Sequence, residues 1–201
     1  MFKIAVLVSG GGTNLQAIID SIERKDLKCS IEFVISDKEE AFAIERAKKH
    51  NIKTFVLNRK VYGQALSDKI LEIVDEKVDL IVLAGYLSIL KGEILKKFEN
   101  RIINIHPSLI PSFCGKGMYG IKVHEKALEY GVKITGCTVH FVDEGTDTGT
   151  IIIQKAVKVE EDDTPESLQK RVLVEEHKAL VEAIKLISEK KVILQKGKIY
   201  V

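Results

Sequence analysis

The chain has 201 residues, of which 45% are hydrophobic and 30% are charged, as is typical of a globular protein. Its 31 basic and 29 acidic residues give a formal net charge of +2, so the overall charge does not indicate a nucleic-acid or membrane-surface partner. The three cysteines are widely spaced and include no C-x-x-C pair, which argues against a disulfide framework and against a thiolate zinc site.

Short apolar runs alternate with helical patterns through the first half of the chain. The predicted strands are residues 4–8, 31–35, 54–57 and 80–84, and the predicted helices between them are residues 15–19, 41–50 and 61–77. Continuous apolar runs of this length are typical of strands that are buried on both faces of a parallel sheet. The alternation therefore predicts an α/β fold with a doubly wound, mostly parallel sheet, flanking helices and right-handed crossovers.

A glycine-rich loop, Ser9-Gly-Gly-Gly-Thr-Asn14, joins the first predicted strand to the first predicted helix. Glycines let backbone N–H groups approach an anion closely, and the helix N-terminus adds partial positive charge. Thr13 or Asn14 is expected to cap the helix and to donate to a phosphate. The loop lacks the Lys of a Walker A motif, and Leu15 occupies the third-glycine position of a dinucleotide fingerprint. A tight turn without a ligand is the alternative, but three glycines exceed what a turn requires, so phosphate binding is favoured.

Two further segments follow predicted strands. Gly85-Tyr-Leu-Ser-Ile-Leu90 is unusually apolar for a loop, and it either lines a flat pocket or packs under a neighbouring helix. Asn104-Ile-His106-Pro107 follows the strand that ends at residues 101–103, and ligands of open parallel sheets bind at such carboxyl ends. The amide and the imidazole suit a reaction in which a proton moves and an oxyanion forms.

The predictions for the second half are a helix at residues 123–130 that ends at Gly131, strands at 134–142 and 151–153, a helix that starts at Thr164-Pro165, and a hairpin at 192–201. His140 is expected to be a core or supporting residue rather than a catalytic one. The acidic segment with Asp143, Glu144 and Asp147 predicts a solvated loop tip, unless it lies opposite His106 and orients the imidazole.

Glu176 falls within the apolar stripe of the last predicted helix. A buried carboxylate is costly unless it is paired, so this residue either bridges to a core partner or faces a ligand, and the ligand is favoured. No linker or repeat divides the chain, which predicts a single domain, 1–201. Its phosphate-binding half spans about 1–100 and its catalytic half about 101–201.

Four motifs occur in order along the chain. They are Ser9-Gly-Gly-Gly-Thr-Asn-Leu-Gln-Ala17, Val82-Leu-Ala-Gly-Tyr86, Asn104-Ile-His-Pro-Ser-Leu-Ile-Pro111 and His140-Phe-Val-Asp-Glu-Gly-Thr-Asp147. Together they resemble the phosphoribosylglycinamide formyltransferase family, nearly from end to end. The resemblance implies a Rossmann-type N-terminal half, with an antiparallel strand or strands in the C-terminal half, and it assigns folate binding as well as catalysis to the half at about 101–201. It also implies formyl transfer from the co-substrate 10-formyltetrahydrofolate to the amine of glycinamide ribonucleotide, in de novo purine biosynthesis.

The resemblance assigns residues to roles. It implies that Asn104 and His106 stabilise the oxyanion and that Asp147 raises the pKa of the imidazole. The implied ribonucleotide-binding residues are Gly12, Thr13, Asn14 and Glu176. The implied folate-binding residues are Tyr62, Leu87, Ser88, Ile89, Leu90, Asn104, Asp143, Glu144, Gly145 and Thr146. A cis peptide is implied at Ile110-Pro111, and no metal is required.

The chain departs from the family pattern around the folate tail. Many relatives have Arg at the position of Ser88, and a basic residue at the position of Tyr62, for which Arg59 or Lys60 could substitute. The loop at residues 113–121 is longer than usual, with Cys114 where proline is common. These departures concern how the glutamate tail is held and leave the predicted chemistry unchanged.

Three rival functions share part of this pattern. A formyltetrahydrofolate hydrolase would use the same trio with water as acceptor, but such relatives carry a further domain before the catalytic one. A tRNA formyltransferase would need a basic C-terminal domain, and a non-catalytic phosphoribosyl-binding protein would not need Asn104, His106 and Asp147 together.

The location and the partners follow from what the sequence lacks. No apolar run reaches the roughly 18 residues of a membrane span, and Met1 is followed at once by Lys3 and a strand-like segment rather than by a signal peptide. We therefore expect a cytoplasmic monomer or homodimer with small-molecule substrates, and neither a nucleic-acid nor a membrane partner.

Overall fold

The computed structural model describes residues 1–195 and 198–200 and divides the chain into two compact units, Met1–Asn104 and Ile105–Val201. The strands of the first unit are β1 (Phe2–Val8), β2 (Cys29–Ser36), β3 (Thr54–Val56), β4 (Leu80–Leu83) and β5 (Ile102–His106), which ends just beyond the unit. Its helices are α1 (Thr13–Glu23), α2 (Phe42–Lys49), α3 (Arg59–Tyr62), a 3₁₀ turn (Gly63–Ala65), α4 (Leu66–Val74) and α5 (Glu93–Lys97).

Seven strands, including β6 (Ile134–Phe141) and β7 (Ile151–Lys158), form one sheet in the order β3-β2-β1-β4-β5-β6-β7. The pairs β1–β2, β1–β4, β2–β3 and β4–β5 are parallel, whereas β6 and β7 are antiparallel. The predicted doubly wound, mostly parallel sheet with antiparallel strands in the C-terminal half is confirmed. The strand order reverses between β1 and β4, and ligands of such sheets bind at this switch point.

The core of the first unit explains why the apolar runs became central strands. Every residue from Ile4 to Val8 is fully buried, on both faces of β1, and the residues of β4 are buried as well. α1 contacts β2 and α2 and buries Leu15 and Ile18. Burial of a large aliphatic side chain contributes roughly 1.5–3 kcal/mol, so these central elements hold the loops that follow β1 and β4 in place.

Two predictions for the first unit are wrong in detail. The single helix predicted at residues 61–77 is interrupted at Gly63, where φ is +50°, and is replaced by α3, the 3₁₀ turn and α4. Its apolar residues keep a helical spacing across the break, which concealed it. The predicted cap of α1 by Thr13 or Asn14 is also wrong, because both lie inside the helix and Gly12 occupies the cap without a side-chain hydrogen bond. The short helix α5 was not predicted.

The second unit contains, besides β6 and β7, the helices α6 (Ile121–Tyr130) and α7 (Pro165–Ser188) and the antiparallel pair β8 (Ile193–Gln195) and β9 (Lys198–Tyr200). α7 packs on β6, β7 and α6, and Thr164 caps it as predicted. Gly131 ends α6 with φ +78°, and the Ile110–Pro111 peptide is cis, as expected.

The strands of the predicted C-terminal hairpin are present, while its turn, Lys196-Gly197, and Val201 lie outside the described residues. None of the described helices combines the length and the apolar character that a membrane crossing requires.

Candidate active site

The glycine loop of the first unit is held on one side by α2. The Ala43 N–H donates to the Gly10 carbonyl at 3.1 Å, and the Arg46 Nε–H donates to the Gly11 carbonyl at 2.8 Å. Gly12 has φ +73°, and a Cβ there would lie 2.6 Å from the Ala43 Cβ. A Cβ on Gly10 or Gly11 would meet no atom within 4 Å. Gly12 is therefore required by the backbone, whereas the space over the other two glycines can receive a ligand.

The electrostatics of this loop favour an anion. α1 begins directly after it, at Thr13, and the first N–H groups of a helix have no partner within the helix. Arg46 adds a positive charge behind the loop, where its Nη1 donates to the Gln16 Oε1 at 3.1 Å and its guanidinium lies 5.1 Å from the centre of the Phe42 ring. Sequence reasoning missed Arg46, because its only signal was a basic residue one turn after Phe42 on α2.

The loop after β4 lies beside the glycine loop at the switch point of the sheet. The Leu87 N–H donates to the Ser9 Oγ at 2.8 Å, which ties the two loops together. Tyr86 and Leu90 are buried, whereas Leu87 and Ile89 are 41% and 58% exposed. Two residues of this apolar segment therefore pack into the core and two present an apolar surface, and the predicted flat pocket stays a prediction. Tyr62 is half-buried at the end of α3.

His106 lies on β5 two positions after Asn104, so both side chains point to the same face of the strand. The imidazole is buried, its Nε2 contacts the Phe113 carbonyl oxygen at 2.9 Å, and its Nδ1 lies 3.6 Å from the Asp147 Oδ2. Because a carbonyl oxygen only accepts, Nε2 carries a proton and Nδ1 faces the carboxylate.

The pKa of His106 differs from the expected direction. Burial lowers the pKa of this imidazole, and the Phe113 carbonyl and the Asp147 charge, which both raise it, do not outweigh the burial. Asp147 thus acts on His106 as predicted, but the net pKa is lowered rather than raised. The neutral ring is favoured at neutral pH, which makes it able to accept a proton.

Asp147 is held between two imidazoles and a backbone amide. The Gly115 N–H donates to its Oδ2 at 2.9 Å, and the His140 Nε2 lies 3.7 Å from its Oδ1. Burial raises the pKa of Asp147, but the contacts with His140 and the Gly115 N–H and the charge of His106 outweigh it, so the carboxyl pKa is lowered. His140 is buried beside Asp147, and its Nδ1 contacts the Phe141 carbonyl oxygen at 2.7 Å.

The acidic loop contains carboxylates with different environments. The Asp143 Oδ1 accepts from the Gly145 N–H at 3.0 Å and from the Thr148 Oγ at 2.6 Å, so this side chain shapes the loop. Glu144 is exposed. Asp147 instead lies beside His106, so for this residue the alternative to a solvated tip, a carboxylate opposite the imidazole, holds.

Two more buried polar residues belong to the second unit. Glu176 is buried on α7, and its charge contributes, after burial, to raising the pKa of Cys137 to about 12. His124 on α6 is fully buried, and neither ring nitrogen has a hydrogen-bond partner among the described residues. Burial and the charge of His106 lower the pKa of His124 to about 4. Sequence reasoning did not single out His124, since a lone histidine in a helix carries no pattern.

A family described as formyl transferase matches residues 2–184. The chain belongs to the formyl transferase family. The resemblance drawn from the four motifs is therefore confirmed at the level of the family. Among the described residues, no group of three or more His, Cys, Asp or Glu side chains has the geometry to hold a metal ion.

Curated relatives of this formyl transferase differ widely in length. A phosphoribosylglycinamide formyltransferase of Bacillus subtilis is 40% identical over 188 residues, which are 92% of this chain and 94% of the relative. The human trifunctional purine biosynthetic protein adenosine-3 is 42% identical over 98% of this chain, and the chain spans only 19% of that protein's length.

Solved structures share the formyl transferase fold. A glycinamide ribonucleotide transformylase from Symbiobacterium toebii has a TM-score of 0.94 and 41% identity, and the match covers 100% of this chain and 94% of that one. A formyltetrahydrofolate deformylase from Pseudomonas syringae has a TM-score of 0.90 and 26% identity, with all of this chain and 65% of that chain covered.

Proposed function

We propose that this chain transfers the formyl group of 10-formyltetrahydrofolate to the amine of glycinamide ribonucleotide, in de novo purine biosynthesis. The products are formylglycinamide ribonucleotide and tetrahydrofolate. The observation that carries the proposal is the contact of the His106 Nδ1 with the Asp147 Oδ2 at 3.6 Å, with Asn104 on the same face of β5. We further propose a cytoplasmic monomer or homodimer that acts on small molecules.

The proposed reaction begins when the amine nitrogen attacks the formyl carbon and forms a tetrahedral oxyanion. Asn104 donates a hydrogen bond to this oxygen. The neutral His106 accepts the proton that leaves the amine at its Nδ1, directly or through water, and the resulting cation is stabilised by Asp147, which lies beside that nitrogen. Its positive charge also stabilises the oxyanion. The bond between the formyl carbon and the folate nitrogen then breaks, and the proton passes to that nitrogen.

Substrate binding is assigned to the remaining predicted residues. The loop of Gly12, Thr13 and Asn14 holds the ribonucleotide phosphate. Two observations support this assignment: the open space over the adjacent glycines and the positive charge of Arg46 beside the loop. Glu176, buried on α7, contacts the glycinamide group. The folate contacts are proposed for the segment of Leu87, Ser88, Ile89 and Leu90, for Asn104, for Tyr62 and for the loop of Asp143, Glu144, Gly145 and Thr146.

Alanine substitutions in the glycine loop should separate folding from phosphate binding. Gly11→Ala places a methyl group in open space, so we expect wild-type stability but a rise in the KM for the ribonucleotide of about tenfold, as for one lost charge-assisted hydrogen bond. Gly12→Ala forces a contact with Ala43 and a left-handed backbone, so we expect a loss of about 1–3 kcal/mol of unfolding free energy. Urea denaturation and steady-state kinetics measure the two effects, and equal stability of both variants would contradict this account.

A formyltetrahydrofolate hydrolase is the second candidate, favoured by the structural similarity to the deformylase from Pseudomonas syringae. Tetrahydrofolate release from 10-formyltetrahydrofolate should be followed with and without glycinamide ribonucleotide. We expect release to depend on the ribonucleotide, with equimolar formation of the formylated product. Release at the same rate without it would establish the hydrolase instead, and binding of the ribonucleotide without any release would leave a phosphoribosyl-binding protein.

A further inference from the structure

Asp37, directly after β2, connects three segments of the first unit. Its side chain is fully buried. The Asp37 Oδ2 accepts from the Ser88 Oγ at 2.5 Å and lies 3.7 Å from the Arg59 Nη1, and the Asp37 carbonyl oxygen accepts from the Arg59 N–H at 3.1 Å. One carboxylate therefore joins the end of β2, the start of α3 and the loop after β4.

The loop after β4, residues 85–91, is anchored at three points by buried polar side chains. The Leu87 N–H donates to the Ser9 Oγ at 2.8 Å, the Ser88 Oγ donates to Asp37, and the Lys91 N–H donates to the Ser67 Oγ at 3.0 Å. All three anchoring residues are buried. These bonds keep the loop in one conformation, with the apolar side chains of Leu87 and Ile89 exposed. A surface held in this way loses little entropy when a ligand covers it.

The Asp37 carboxylate makes its contacts mainly through one of its two oxygens. The Asp37 Oδ1 is buried and has no hydrogen-bond partner among the described residues, so the contacts of this carboxylate run through Oδ2. Burial of the ring and the Asp37 charge raise the pKa of Tyr86 in the same loop. A buried carboxylate is costly without a cation, and Arg59 supplies that charge.

The contact with Asp37 needs only some of the N–H donors of Arg59. Its side chain is 42% exposed, and a guanidinium has five N–H donors, so it can hold Asp37 and still present donors to an anion in solvent. The formyl donor of the proposed reaction ends in a glutamate group with two carboxylates. Ser88 carries no charge for such a group, whereas the guanidinium beside it does.

We propose that Asp37 is a positioning residue that holds the loop at residues 85–91 in its binding conformation through Ser88 and aims Arg59 at the carboxylates of the formyl donor. This inference rests on the proposed function for the identity of the donor. The holding of the loop by Asp37 does not depend on that identity and is measurable without any substrate.

The experiment compares Asp37→Ala, Asp37→Asn and Arg59→Gln with the wild type, and uses Asp26→Ala, in an exposed ion pair with Arg24, as the matched control. Hydrogen exchange of the unliganded proteins reports on residues 85–91. We expect exchange there to rise about tenfold or more in Asp37→Ala, because the Ser88 anchor is lost, and to stay near wild type in Asp37→Asn, which keeps an oxygen that accepts from Ser88.

Steady-state kinetics then separate the two substrates. We expect the KM for 10-formyltetrahydrofolate to rise about tenfold in all three variants at Asp37 and Arg59, with the KM for the ribonucleotide and kcat within about twofold of wild type. Unchanged loop exchange in Asp37→Ala, or a rise in the KM of both substrates together, would overturn the proposal. If Asp37→Ala does not fold, Ser88→Ala tests the same anchor. A wild-type protein without transferase activity would end the proposed function, whereas the exchange result would still decide the role of Asp37 in the loop.

Discussion

His106→Ala is expected to lower kcat by two or more orders of magnitude while the protein remains folded. The variant loses both the base that accepts the proton from the amine and the cation that stabilises the oxyanion next to Asp147. Loss of a single oxyanion donor typically costs about 2.7–4 kcal/mol of barrier, or roughly 100- to 1000-fold in rate. Asn104→Ala removes such a donor and should fall in the same range. The measurement is kcat at saturating substrates, with circular dichroism to verify the fold.

A second histidine provides the control for this prediction. His50, at the end of α2, contacts the Glu23 Oε1 at 2.7 Å and has no role in the proposed chemistry. His50→Ala should therefore leave kcat close to that of the wild type. Near-normal turnover in His106→Ala or Asn104→Ala would refute the roles assigned to these residues. A rise in KM alone would show that they bind substrate without stabilising the transition state.

Acid should destabilise the folded state through His124. Burial holds the pKa of this imidazole at about 4, compared with 6.5 for the free group. Between these two values the unfolded state binds more protons, so the unfolding free energy decreases as the pH falls through this window. Above pH 6.5, the neutral His124 makes its full contribution to the unfolding free energy. Below about pH 4, this contribution is lost. At 1.36 kcal/mol per pKa unit, this loss amounts to about 3 kcal/mol.

Urea denaturation at a series of pH values from 7.5 to 4 measures this effect. The matched variant is His124→Leu, which removes the titrating group and keeps an apolar side chain in the same space. Groups that do not interact with His124 contribute equally to both proteins, so the difference between their pH profiles reports His124 together with its coupling to His106. We expect the variant to lose about 3 kcal/mol less than the wild type over this range. Parallel profiles would show that His124 is not buried in its neutral form.

Much of the fold was predictable because burial on both faces of a central strand leaves a direct mark on the sequence. Continuous apolar runs correctly predicted β1 and β4, and cap residues correctly predicted the start of α7 at Thr164. The helix predicted at residues 61–77 failed because apolar periodicity does not register a change of backbone direction at one glycine. The same limit applies to α5, which is too short to show a period.

The site was predictable only in part. The sequence indicated the glycine loop, Asn104 and His106, because their signals are local. These signals are glycines before a helix, and an amide and an imidazole at the end of a strand. The pKa direction of His106 was not predictable, since it depends on how much burial outweighs the charge of Asp147. Whether the ring is neutral or charged follows from its complete surroundings, which no short motif describes.

The sequence by itself determined the α/β alternation, the switch-point loops and the family of this protein, because each is written in short patterns of neighbouring residues. Only the tertiary structure decided several contacts between distant side chains: Asp147 with His140, Arg46 with the glycine loop, and Asp37 with Ser88 and Arg59. The physical reason is that such contacts depend on the order of strands in the sheet and on the packing of helices against it. A charge or hydroxyl group in the sequence does not reveal which partner this packing brings within a few ångströms.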